Sequence, residues 1–469
     1  MPTRPNLLIL MPDQLRGDCL SSAGHPVVET PHLDRLAAEG VRFDGAYTTC
    51  PVCMPARSSF LSGQYCHNHG QWGNYGSLPA TADTYAYRLQ QAGYRTCHLG
   101  KGHLYAHGSG MHLREEEPFM HALGWDDVLE TTGPHATRVT DSILTDHWRD
   151  LGLLDTFRDD YNRRAEHGFL TADWPSPLPP GETPDDFVGR SAVEYLSGYD
   201  HEEPWLAFVG FGGPHEPWDP PADWFARYEG RAMDPPQPLF PAEAWLSPAA
   251  AAHHAALAAR VKELPPELVA RIRALYYAKV SHIDWWIGQI LAVVETRGWA
   301  DNTAILFWSD HGEMLGDRGH YHKTLFFDPS ARVPFMLRLP DRAGAGGVRS
   351  QLVSLVDAFP TLLDLAGCEP RPREFGRSLL PLVANPEAAH HDAVFSEIGE
   401  RTMIRDERFK LVVDRTGEVL KLYDVESDPR ETCNLAGKPG TEDTISRLRE
   451  RLLRWHLETA TRYGHLHRG

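Results

Sequence analysis

The chain has 469 residues, 42% of them hydrophobic, enough for a large core and long enough for two or three domains. Forty-six basic against sixty-four acidic residues leave a formal charge of −18, which excludes a nucleic-acid binder relying on a broadly basic surface. No apolar run approaches the roughly 20 residues of a membrane helix, and seven cysteines are too few, and odd in number, for a disulfide scaffold.

Asn6 to Met11 reads as a buried strand. It is too short for a secretory leader and no small-residue cleavage site follows it, so the expected compartment is the cytoplasm. Thr30 to Gly40 reads as a helix with Thr30 as N-cap, Pro31 at its first position and Gly40 as its stop. Val41 to Tyr47 is the next strand. A helix over Tyr85 to Gln91, stopped by Gly93, leads into a strand at Arg95 to Leu99, and Trp205 to Phe211 is a further strand. Asp219 to Pro248, rich in Pro and Trp, reads as a surface excursion. Its Trp218, Trp224 and Trp245 either line a pocket or pack the excursion down, and packing is expected of at least two. The clearest helix runs from Glu267 to Thr296, with Ile272, Leu275, Val280, Ile283, Ile287, Ile290 and Val294 on one stripe, and Thr303 to Trp308 follows as a strand. Beyond residue 375 come short strands at Thr402 to Ile404, Lys410 to Val413 and Lys421 to Tyr423, then a closing helix from Asp443 to Thr461. The expected architecture is α/β, a large mainly parallel sheet flanked by helices over residues 1–375. A smaller subdomain over 376–469 holds a short antiparallel sheet and a helix.

Polar residues recur just past predicted strand ends: Asp13-Gln14, Lys101 with His103, His215, and Asp310-His311. Open parallel sheets bind ligands beyond the carboxyl ends of their strands, so these distant segments can share one rim. Asp13, Gln14, Asp310 and His311 offer two carboxylates, an amide oxygen and an imidazole. That set suits a divalent cation, with His311 favouring manganese or zinc over calcium and the choice left between calcium and manganese, although Asp13 and Asp310 could equally cap helices. Cys53 lies just ahead of Pro55 in a segment ending at Gly63, which sets it near a helix N-terminus, with Arg57 one turn on. Cys50-Pro-Val-Cys53 also fits the C-x-x-C of thiol–disulfide oxidoreductases, a reading that leaves the rim unused.

Cys53-Met-Pro-Ala-Arg57 followed by Leu61-Ser-Gly63 resembles the C-x-P-x-R motif of type I sulfatases in the alkaline phosphatase superfamily. The resemblance spans nearly the whole chain, through Thr30-Pro-His-Leu-Asp-Arg, Gly100-Lys-Gly-His103, Pro214-His-Glu-Pro217, Ser309-Asp-His-Gly-Glu313, Lys323 and Leu422-Tyr-Asp-Val-Glu-Ser-Asp-Pro429. It implies an alkaline-phosphatase-like fold and sulfate monoester hydrolysis. It implies that a formylglycine-generating enzyme converts Cys53 to formylglycine, whose hydrate attacks sulfur beside one divalent metal bound by Asp13, Gln14, position 53, Asp310 and His311. By the same resemblance Arg57, Lys101 and Lys323 cradle the sulfate, Asp310 helps deprotonate the nucleophile, and His215 with Lys323 serves the leaving alkoxide. His103 then collapses the sulfate hemiacetal, and Asn74 contacts substrate. Gln14 and His311 stand where many sulfatases have Asp and Asn, and are similar to choline sulfatases and phosphonate monoester hydrolases. Ala56 and Thr48-Thr-Cys50 lean toward the latter, whereas Lys101 and His103 match sulfatases.

The leading expectation is thus a sulfatase acting on a small-molecule sulfate ester, with no nucleic-acid or membrane partner and a possible homo-oligomer. A phosphonate monoester or phosphodiester hydrolase with the same nucleophile is the nearest alternative. A non-catalytic homologue with unconverted Cys53 is another. His320 and His322 are expected at the rim, and His67 and His69 carry no assignment.

Overall fold

The β1 strand (Asn6–Met11) reads NLLILM and is buried at every residue. Successive side chains of a strand point to opposite faces, so Leu8 and Leu10 enter one apolar layer while Leu7, Ile9 and Met11 enter another. A strand greasy on both faces belongs inside a sheet covered on both sides. In the computed structural model, which describes residues 4–241, 243–371 and 374–460, β1 lies in the middle of an eight-stranded sheet.

The other strands of that sheet are β2 (Val41–Tyr47), β3 (Arg95–Lys101), β4 (Asp127–Thr131), β5 (Trp205–Gly210), β6 (Thr303–Trp308), β7 (Phe335–Arg338) and β8 (Gly347–Ser354). Their spatial order is β4-β3-β5-β1-β6-β7-β2-β8. All pairings are parallel except those of the four-residue β7, which runs antiparallel to both β6 and β2. On one face lies the helix Pro266–Thr296, within one residue of the expected span, with its predicted stripe from Ile272 to Val294 buried. The other face is covered by the helices Cys53–Ser62, Tyr85–Gln91 and Ala358–Leu365.

A second sheet is antiparallel, in the order β12-β11-β10-β9, from β9 (Ala393–Ile398), β10 (Arg401–Asp406), β11 (Phe409–Asp414) and β12 (Val419–Asp424). Ile404, Leu411 and Leu422 pack under the helix Glu442–Thr459 through Leu448 and Trp455. Its other face, with Met403, Val412 and Leu420, packs on Tyr47, Cys50, Val52 and Phe326 of the main body. The final helix ends at Thr459; Thr461, where the sequence reading ended it, lies outside the described residues. Among the described residues no helix is long and apolar enough to cross a membrane.

The excursion after Asp219 is mostly irregular. Trp218 and Trp224 are buried and Trp245 is 37% exposed, so packing accounts for the first two.

Candidate active site

Strands β3, β5, β1 and β6 are consecutive neighbours and parallel, so their carboxyl ends open on one side. Asp13 follows β1, Lys101 closes β3, His215 follows β5 and Asp310 follows β6. The sheet alone therefore brings these four together. Cys53 joins them as the first residue of the helix Cys53–Ser62, whose ten residues are all buried and which Gly63 ends in the left-handed region at φ 66°.

Around Cys53 the donors and charges are close. Its Sγ lies 3.1 Å from His311 Nε2, 3.1 Å from Lys323 Nζ and 3.7 Å from Asp13 Oδ1. Burial would raise the thiol, but Lys323, Lys101 and His311 outweigh it and hold Cys53 well below the ordinary thiol range; His103 adds a hydrogen bond. Arg57, one turn along and fully buried, donates Nε to Asp310 Oδ2 at 2.8 Å and Nη2 to Asp13 Oδ2 at 2.9 Å. Lys101 Nζ reaches the same Asp13 Oδ2 at 2.6 Å. Against the cost of burial, Lys101 and Arg57 keep Asp13 ionised, far below the usual carboxylate value.

The arrangement divides each aspartate. The Oδ2 atoms of Asp13 and Asp310 hold cationic side chains, whereas their Oδ1 atoms face the Cys53 side, where Asp310 Oδ1 also accepts the Gln14 and His311 backbone N–H groups. His311 donates Nδ1–H to Gly312 O at 3.0 Å, which turns its Nε2 toward the cluster. One donor atom each from Asp13, Cys53, Asp310 and His311 lie within 4.8 Å of one another. Two carboxylates and a correctly turned imidazole, all buried and anchored from behind, fit a divalent metal.

Gln14 is less simply placed. Its Oε1 accepts from Lys323 Nζ at 2.6 Å, and its Nε2 donates to Glu216 Oε2 at 2.7 Å and to Glu313 Oε2. His215 donates Nδ1–H to Glu216 O at 2.6 Å, so its Nε2 accepts from Lys323 Nζ, also at 2.6 Å. Burial, helped by Lys323, pushes His215 down to about 4 against the pull of Glu216. Asn74 is exposed, and its Oδ1 accepts the Met54 N–H at 3.1 Å, so it caps the helix that starts at Cys53. Backbone strain gathers here: Gln14, His103, His322 and Thr324 have φ of 66°, 53°, 65° and 78°.

The sequence reading assigned no role to Glu216 and Glu313. Both stand inside the quoted Pro214-His-Glu-Pro217 and Ser309-Asp-His-Gly-Glu313 segments, and that position was the available signal. His322 Nδ1 lies 3.3 Å from Glu216 Oε1, and although burial opposes it, Glu216 and Glu313 raise His322 to about 9. Cys50, the other half of the C-x-x-C, is as buried as Cys53 and hydrogen-bonds toward Cys66, and all seven cysteines are free.

Residues 5–368 match the family profile described as Sulfatase, and residues 316–458 match one described as N-sulphoglucosamine sulphohydrolase, C-terminal. An arylsulfatase of Clostridium perfringens is 29% identical over 96% of this chain and 94% of its own length. A choline-sulfatase of Rhizobium meliloti is 30% identical over 97% of this chain and 88% of its own. The crystal structure of the phosphonate monoester hydrolase of Agrobacterium radiobacter superposes with a TM-score of 0.77 at 27% identity, covering 97% of this chain and 96% of that one. The chain belongs to the sulfatase family, within the alkaline phosphatase superfamily.

Proposed function

We propose that this sulfuric ester hydrolase cleaves a small sulfate monoester to an alcohol and inorganic sulfate, with a formylglycine made from Cys53 as nucleophile. The observation that carries the reading is the setting of Cys53. It opens a buried helix within a C-x-P-x-R sequence, 3.1 Å from both His311 Nε2 and Lys323 Nζ. A divalent metal held by Asp13, Gln14, Asp310, His311 and position 53, calcium or manganese by its donors, would supply Lewis acidity toward the sulfate and the nucleophile.

The chain's own groups divide the remaining work. Arg57 fixes both aspartates from behind, and Lys101 and Lys323 present ammonium groups where negative charge develops on a tetrahedral sulfate. Because the His215 Nε2 lone pair accepts from Lys323, the proton for the leaving alkoxide resides on the Lys323 ammonium, and His215 orients it. Asp310 takes the proton of the attacking hydroxyl, and His103, within hydrogen-bonding reach of position 53, takes that of the remaining one. Asn74 contributes by holding the helix start. We assign the catalytic part to residues 1–375 and a bracing subdomain to the rest of the chain, with Leu379, Leu382 and Val383 still packed in the main sheet's core.

A second reading, phosphonate monoester hydrolysis with the same nucleophile, rests on the 27% identity to the Agrobacterium enzyme and on Gln14 and His311. Two measurements test both. The tryptic peptide Phe43 to Arg57, from cells that contain a formylglycine-generating enzyme, should be lighter by the thiol-to-aldehyde change and react with hydrazide. Matched aryl sulfate, phosphonate and phosphodiester substrates should then give the highest kcat/KM for sulfate. An intact thiol defeats the nucleophile assignment, and a phosphonate preference selects the second reading.

A further inference from the structure

Apart from the catalytic cluster, three metal-ligating side chains from three separate elements converge where the second sheet meets the main body. His67 comes from the short helix Cys66–His69, Glu397 from β9 and His456 from the final helix, and one donor atom from each lies within 4.8 Å of the others.

The hydrogen bonds around His67 fix its tautomer. Thr459 donates its hydroxyl to Trp455 O at 2.7 Å, so at 2.9 Å it can only accept from His67 Nε2–H. His67 Nδ1 then faces the Glu397 carboxylate, 3.0 and 2.9 Å from its two oxygens. A bare lone pair cannot rest there. Nδ1 either carries a second proton or shares a cation with the carboxylate. Glu397 is 1% exposed, and among the described residues no lysine or arginine is paired with it.

His456 favours the shared cation. Its ring centroid is 5.1 Å from that of His67, and among the described residues no side-chain hydrogen bond reaches it. Two imidazoles on one tetrahedral metal, with nitrogens about 2.0–2.1 Å from it, set their centroids roughly 5 Å apart. The Nε2–H···Thr459 bond is the kind of outer contact that orients a ligating histidine. By contrast, Asp357 with His390 and His391 shows no such gap. Each oxygen of Asp357 already accepts one imidazole N–H and one backbone N–H, from Ser354 and Arg377.

We infer that His67, Glu397 and His456 bind a first-row divalent transition metal, zinc being the natural probe, and thereby clasp the final helix and β9 to the main body. Two nitrogens and one carboxylate favour such an ion over calcium or magnesium. Both histidines are partly exposed, which leaves an entry path and room for water as the remaining ligand.

The test uses the full chain carrying Asp310→Asn, so that zinc binding at the catalytic rim is suppressed. Zinc content after equilibrium dialysis should be one ion per chain and should fall at least tenfold in affinity when His456→Ala is added. Cobalt in place of zinc should give the visible bands of a four-coordinate ion, lost in the same variant. Glu397→Gln, nearly isosteric, should show the same loss should His456→Ala fail to fold. No zinc on the Asp310→Asn chain, or equal zinc affinity with and without His456 and Glu397, would overturn the proposal and leave a protonated His67 paired with Glu397.

Discussion

Arg57 and His98 show two ways a buried polar side chain can be accommodated. Arg57 has no exposure, yet its fork meets Asp13, Asp310 and the Lys101 carbonyl at 2.6–2.9 Å, so its charge is fully matched. His98 is stacked on Phe208 (4.9 Å between centroids) and set edge-on to Trp125, and among the described residues no hydrogen bond of ordinary length reaches either ring nitrogen. Burial, with Arg57 nearby, pushes it down to about 3. The unfolded chain binds this proton near pH 6.5 and the folded one only near 3, so acid favours unfolding across that window. His98→Phe should therefore flatten the fall in stability between pH 7 and 4, by up to about 1.4 kcal/mol per pH unit. Urea midpoints at several pH values measure this, and an unchanged slope contradicts it. Arg57 was legible in the sequence because it sits in a motif. His98 was not, since an alternating strand pattern does not distinguish an orphaned histidine from one with a partner.

The elements that position the site were the legible ones. Asn6–Met11 and Thr303–Trp308 announce themselves as unbroken apolar runs, and Pro55 and Gly63 frame the helix at Cys53. Strands β4, β7, β8 and β9 went unread: Asp127–Thr131 is half-exposed at the sheet edge, Phe335–Arg338 is four residues long, β8 runs through Arg349, Ser350 and Gln351, and β9 carries Ser396 and Glu397 in its interior. The helix Leu154–His167 is highly charged and hides its apolar residues among Asp and Arg. Short length and mixed polarity defeat periodicity in each case. At the far end of the nucleophile's helix, a Cβ on Gly63 would meet Arg371 Nη2 at 2.5 Å and Phe359 at 2.9 Å, in addition to the left-handed backbone. Gly63→Ala should cost at least about 1–2 kcal/mol for the backbone alone. It should lower Tm, and a Tm equal to that of the unsubstituted protein would show that the helix end adapts.

Across the whole molecule, the second sheet is tied to the catalytic loop by a buried lysine. Lys410 on β11 contacts Asp328, Glu431 Oε1 at 2.7 Å and Phe326 O at 3.1 Å; Phe326 and Asp328 close the segment that begins at Lys323, and Glu431 accepts the Asp328 N–H. Lys410→Met should leave the buried Glu431 carboxylate without its cation beside the partly buried Asp328, at a cost of about 3–5 kcal/mol. It should also lower kcat/KM by releasing Lys323 from its place beside Cys53. Retained activity in a destabilised variant would show that the loop holds itself.

The complete enclosure of the helix Cys53–Ser62 sets an order of events in the life of the chain. A thiol with no exposure, at the start of a fully buried helix and flanked by residues from positions 13 to 323, is beyond the reach of another protein once the chain has folded. Any enzyme that alters Cys53 must compete with folding itself. Active protein would then measure how long the segment around Cys53 stays open during synthesis, and overproduction without that enzyme would yield well-folded, inert molecules that no later exposure to it could mend.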